Sequence, residues 1–172
     1  YRVKATNSAG SSTWSDVRSV EVRPSLPSRI YISEDAAVYK GLPRENHGFD
    51  SDLSVGVGGA ASAAASQDFG TSRAFLRFDL SGIPTGTPIE AASLHLRVHG
   101  LCYAQPTTAR TATVYSVTGD WSEWLVNWVD QPGTGPAYGS ASIPFEAGLW
   151  HAFDVTSLVR DWVDGSLPNH GL

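Results

Sequence analysis

RAFLRFDLSGIP, residues 73–84, alternates without a break until a turn stops it. Ala74, Leu76, Phe78 and Leu80 fall on one face of an extended chain, with Arg73, Phe75, Arg77 and Asp79 on the other. A period of two with Gly82 and Pro84 at its end is the mark of a strand that buries one side. The neighbouring stretch IEAASLHLRVHG repeats the logic. Ala92, Leu94, Leu96 and Val98 point one way, and Ser93, His95, Arg97 and His99 the other.

Outward from these two runs the same grammar recurs. RIYIS, AAVYK, the start of DLSVGVGG, TATVYSV and HAFDV are short strand candidates. AASAAASQDFGTS has no apolar face and reads as a surface loop. One segment has the helical period: in FDVTSLVRDWVDG, Val155, Leu158, Val159, Trp162 and Val163 form a stripe. Asp154 or Thr156 can receive first-turn amides there, and Gly165 can close the last turn. Many strands with one terminal helix predict an all-β, jelly-roll-like two-sheet β-sandwich.

Composition narrows the functional class. Of 172 residues, 41% are hydrophobic and 17% charged, with 17 Gly, 10 Pro and six each of Trp, Tyr and Phe. Low charge with many turn-formers and aromatics fits a secreted β-protein better than a cytosolic enzyme. A net charge of −5 gives no general attraction to nucleic acid or an anionic membrane. No apolar run is long enough to span a bilayer. Cys102 stands alone, which excludes an intrachain disulfide or a thiolate metal cluster.

The chain divides into three. YRVKATNSAGSSTWSDVRSVEV, residues 1–22, alternates on both sides of a turn at Asn7–Ser11 and reads as a β-hairpin; it resembles the last two strands of a fibronectin type III domain. RPSLPS, residues 23–28, reads as a short linker. In residues 29–172, DAAVYKGLPRENHG, LSVG, SRAFLRFDLSGIPTGTPIEAASLHLRV, VYSVTGDWSEWLVNWVDQP and WHAFDVTSLVRDWVDGSLPNHGL occur in that order. Together they resemble the DNRLRE-type domain, also classified as carbohydrate-binding module family 96. The resemblance implies a jelly-roll module of extracellular or cell-surface proteins, some of whose members bind acidic polysaccharides such as alginate. It also implies strands beyond the P-N-x-G-L motif at residues 168–172, so the sandwich is expected to lack its last strands.

Catalysis finds no support in the motifs, since no G-x-S-x-G elbow, H-E-x-x-H helix or phosphate-cradling loop is present. Asp120 and Glu123 in GDWSEW are the nearest approach to paired carboxylates, and three residues apart in a turn they suit turn amides. Ligand binding is better served. If residues 73–80 and 93–98 share a sheet, Arg73, Arg77, His95 and Arg97 surround Phe75 on an outward cationic face able to pair with uronic acids, although cross-strand pairing would explain the same arginines.

A loop offers Tyr39, Lys40, Arg44, Asn46 and His47 as a second set. Of the tryptophans, Trp121, Trp128 and Trp162 suit a core, whereas Trp124 suits either a sugar platform or a subunit contact, and Trp150 can also serve a platform. Asp35, Glu45, Asp50, Asp52 and Asp68 carry oxygens for a structural calcium without its usual spacing. The partners expected are therefore a polysaccharide or, in an adhesive subunit or filament built by strand exchange, other copies of the chain.

Overall fold

The structure, a computed structural model, describes residues 6–7, 10–11, 29–57, 70–98, 109–144 and 146–172. Strands β1 (Thr6–Asn7) and β2 (Gly10–Ser11) pair antiparallel, with Thr6 opposite Ser11 and Asn7 opposite Gly10. That ladder lies at the expected hairpin turn. The rest of the hairpin, the linker, Cys102, Asp68 and most of the alanine-serine stretch lie outside the described residues.

The remaining strands are β3 (Ile32–Tyr39), β4 (Gly56–Val57), β5 (Thr71–Phe78), β6 (Ser93–Arg97), β7 (Arg110–Val117), β8 (Thr134–Ile143) and β9 (Trp150–Asp154), followed by helix α1 (Thr156–Asp164). RIYIS and AAVYK, expected as separate strands, merge into β3, whose pairing with β5 shifts register between Ile32 and Glu34. β8 has no counterpart in the sequence reading, because Gly135, Pro136 and Gly139 look like turn residues. Its glycines serve close approach instead. A Cβ on Gly135 would strike the Ser116 hydroxyl, and one on Gly139 would lie 2.5 Å from the Asp154 carbonyl oxygen.

β3, β5 and β4 form one sheet, β7 pairs with β8, and β6 pairs with β9. The C-terminal residues join the first two groups. Leu172 exchanges both backbone hydrogen bonds with Leu76 at 2.9 Å, and the Gly171 carbonyl accepts from the Val117 amide at 3.1 Å. One layer is thus β3, β5, β4, the terminal segment, β7 and β8, and the other is β6 and β9.

Between the layers lies the main core. Leu76 and Val114 come from the first layer, Leu94 and Phe153 from the second, and Val155, Leu158 and Trp162 from the start and apolar face of α1. Each such side chain removed from water contributes roughly 1.5–3 kcal/mol. The helix is anchored by Arg160, which donates to the Ile89 and Glu90 carbonyls at 2.7 and 3.0 Å. Asp154 accepts the Thr156 amide at 2.9 Å, and Gly165 ends the helix in the left-handed region at φ 83°. Thr156, the alternative cap, instead binds Ala92 with its hydroxyl.

A second core covers the opposite side of the first layer. Ala36 stands directly across from Phe75, and both pack with Val38, Val117, Trp121 and Val126. The segment 118–132 lies over this side like a lid. β5 is therefore apolar on one face and aromatic-and-cationic on the other, and the second face is covered over Phe75 and Arg77 while Arg73 stays exposed.

Candidate functional site

The covered second face corrects the expected cationic platform. β5 and β6 belong to different sheets, so Arg73 and Arg77 do not share a surface with His95 and Arg97. Phe75, expected at the platform's centre, is 2% exposed. Arg77 pairs with Glu34 and Asp120 at 2.6 Å each, donates to the Trp121 carbonyl at 3.0 Å, and stacks 4.9 Å above the Trp121 ring. Arg73 donates to Gln131 at 3.1 Å and sits 5.2 Å above the Trp128 ring. These arginines fasten segment 118–132 to β5 through cation–π stacking and hydrogen bonds, Arg77 half-buried beneath it and Arg73 exposed at its edge. The parity read from sequence was right, but the covering segment comes from far along the chain.

The other half of that set stays outward. In the β6–β9 ladder Arg97 is directly opposite Trp150 and His95 opposite Ala152. Residues directly across an antiparallel pair project from the same face. Ser93, His95 and Arg97 are all exposed, and Trp150 is 66% exposed. The Arg97 Nε donates to the Gly148 carbonyl at 3.3 Å, which orients the guanidinium and leaves its terminal nitrogens without a hydrogen bond among the described residues. Chemically, a flat indole beside a guanidinium can receive the C–H face of a pyranose and a carboxylate on the same ring.

A second exposed group forms where two loops meet. Asn46 donates to the Glu123 and Val126 carbonyls at 2.8 Å each, and the Val129 amide to the Pro43 carbonyl at 3.0 Å. These bonds place Phe49 against Trp124, ring centroids 4.5 Å apart and planes tilted by 48°. Of the expected loop set, Tyr39 is buried and meets His47 edge-on at 4.5 Å, while His47 binds Asp50 at 3.0 Å. Lys40 and Arg44 remain exposed on the loop. The sequence had flagged Trp124 and the loop separately; Asn46 is the side chain that unites them. Phe49 was missed, since HGFDSD shows no periodicity.

Of the acids of GDWSEW, Asp120 is engaged by Arg77 at 2.6 Å. The Asp120 carboxyl is held below its ordinary range by the Trp121 amide and by Arg77, whereas Glu123 is pushed up by burial and by Asp35 and Glu34. Among the described residues, which include the candidate calcium ligands Asp35, Glu45, Asp50 and Asp52 but not Asp68, no three His, Cys, Asp or Glu side chains gather around a common point. No helix of the described residues is long and apolar enough to cross a membrane.

Trp121 is buried, Trp128 half-buried beneath Arg73, and Trp162 buried on the helix, as the core reading of the tryptophans expects. Trp124 and Trp150 are 53% and 66% exposed. Comparison with known proteins bears on these two. The model of carbohydrate-binding module family 96 matches residues 27–167, and no curated protein matches the chain.

Proposed function

The chain belongs to carbohydrate-binding module family 96 and is a non-catalytic module, and we propose that it recognises an acidic polysaccharide, such as alginate, through the β6–β9 face. The observation that carries this reading is Trp150, 66% exposed directly across the ladder from Arg97. A large aromatic side chain left in water on a sheet face costs hydrophobic stabilisation, so a stacking role gives it a reason. Arg97 supplies a fork that fits a uronate carboxylate, and His95 extends the polar side of the site. Such a module works outside the cell or at its surface. Residues 1–22 belong in this view to a separate fibronectin-like unit, joined by the 23–28 linker.

The test is retention on alginate or polygalacturonate. Arg97→Ala removes hydrogen bonds to a charged group, worth about 1.5–3 kcal/mol or roughly 10–100-fold in affinity. Trp150→Ala is expected to weaken binding as well, and raised salt to weaken the native complex. Unchanged retention in both variants would remove this face from consideration.

Assembly through strand exchange is the alternative reading, and in its wider form it expects the apolar face of the helix to be covered by another chain. Against the wider form of this idea, the apolar face of α1 is covered by its own chain: Leu158 is 0% and Val163 6% exposed. Sedimentation velocity decides; a monomer at all concentrations ends this reading.

A further inference from the structure

We propose that the Phe49–Trp124 pair is a second saccharide site, which takes the apolar face of an uncharged pyranose and makes the module bivalent. The inference rests on the carbohydrate-binding reading but not on the assignment of the acidic ligand to the β6–β9 face.

Exposure is the first observation. Phe49 is 80% and Trp124 53% exposed, yet the two rings come from loops far apart in sequence and meet at a centroid distance of 4.5 Å. Two aromatic side chains brought together and left in water do nothing for the core.

Rigidity is the second. Asn46 holds the Trp124 loop through two carbonyls, and its own Oδ1 accepts the Gly48 amide at 3.3 Å beside Phe49. Gly48 is buried against the Glu123 carbonyl, so closely that a Cβ would not fit. The rings are thus positioned before any ligand arrives, and binding need not order the loops.

The chemistry of the pair points to the ligand class. Asp50 and Asp130 stand on the two loops that carry the rings, bound to His47 and to Asn127 at 3.0 Å, while Lys40 and Arg44 are exposed earlier on the first loop. Carboxylates on these loops can accept from sugar hydroxyls. The rings themselves are apolar and uncharged and suit the C–H face of a neutral pyranose, whereas the Arg97 face offers a guanidinium. Exposed Leu125 and Val129 extend the apolar surface in the Trp124 loop. A polymer carrying both sugar types, or a mixed wall, would engage the two sites at once and gain affinity through effective concentration.

The experiment titrates the 172-residue chain with cellohexaose, xylohexaose and mannohexaose, reading tryptophan fluorescence and amide shifts, with saturating alginate hexamer present and absent. At least one neutral hexamer is expected to bind whether or not alginate is present. Its affinity is expected to fall tenfold or more in both Trp124→Ala and Phe49→Ala, each checked for an unchanged unfolding midpoint. Neutral binding with no response to alginate at all would sustain this site while removing the acidic-ligand reading. Failure of all three neutral hexamers to bind overturns the proposal, and so does binding that alginate displaces or that both variants retain. Concentration-dependent dimerisation abolished by Trp124→Ala overturns it too, in favour of a contact between copies.

Discussion

The Trp121 indole N–H donates to the His170 carbonyl over 2.7 Å. One bond thereby ties segment 118–132, which covers the outer side of β5, to the terminal segment that joins β5 to β7. The Asn169 side chain adds a bond to the Phe78 carbonyl at 2.9 Å, so the P-N-x-G-L motif works as a clasp. Trp121→Phe keeps most of the buried ring but leaves a half-buried carbonyl without its donor. The expected loss is about 1–3 kcal/mol in urea unfolding, with the m-value unchanged.

Arg77 and Arg97 are expected to separate stability from binding. Arg77→Ala removes two ion pairs and leaves Glu34, whose side chain is 27% exposed, facing away from its cation. Discounted for this partial exposure, the cost is roughly 1–3 kcal/mol, read as a lower unfolding midpoint. Alginate retention per folded molecule should not change. Arg97→Ala should do the opposite, holding its midpoint while losing retention. If Arg77→Ala loses retention at full stability, the covered face has a role that its geometry gives no reason to expect.

Gly171 sits at φ 90° with its Cα against the Leu76 carbonyl, where no Cβ fits. Gly171→Ala therefore meets both backbone strain and overlap. It should destabilise by about 2 kcal/mol or more and speed amide exchange at Leu76 and Val117, the two donors that bond residues 171–172. Gly165→Ala tests the strain alone, because a Cβ there meets nothing within 4 Å. Its smaller cost would isolate the contribution of the Leu76 contact.

Local periodicity was enough to place β5, β6, β7, β9 and the apolar stripe of α1, since each shows its period within a few residues. What it could not show was pairing over distance. Arg77 reaches the Trp121 carbonyl across 44 residues of sequence, so the outward parity of Arg73, Phe75 and Arg77 gave no hint of a lid. The Arg97–Trp150 relation depends on strand register, and Phe49–Trp124 on two irregular loops. β8 was hidden by glycines chosen for close approach, which in sequence look the same as glycines chosen for turns.

Carboxylates set the response to acid. Asp154 is held below its ordinary 3.8 by the Thr156 hydroxyl and amide, Asp79 and Asp164 by Ser81 and Ser166 in the same way, and Asp120 by the Trp121 amide and Arg77. A folded-state value below the unfolded one means that the unfolded chain takes up protons first as pH falls. The stabilisation is therefore complete well above 3.8 and is lost as pH drops through that value toward the folded-state one.

Glu123 runs the other way, raised above 4.5 by burial and by Asp35 and Glu34. Its ionisation at higher pH works against the fold. Thermal melts between pH 2.5 and 7 should show a midpoint that falls below about pH 4. Asp154→Asn should flatten that limb, and Glu123→Gln should raise the midpoint at pH 7 while leaving the acid limb in place. A Glu123→Gln midpoint below that of the native chain at pH 7 would show that the ionised carboxylate helps to hold segment 118–132 down.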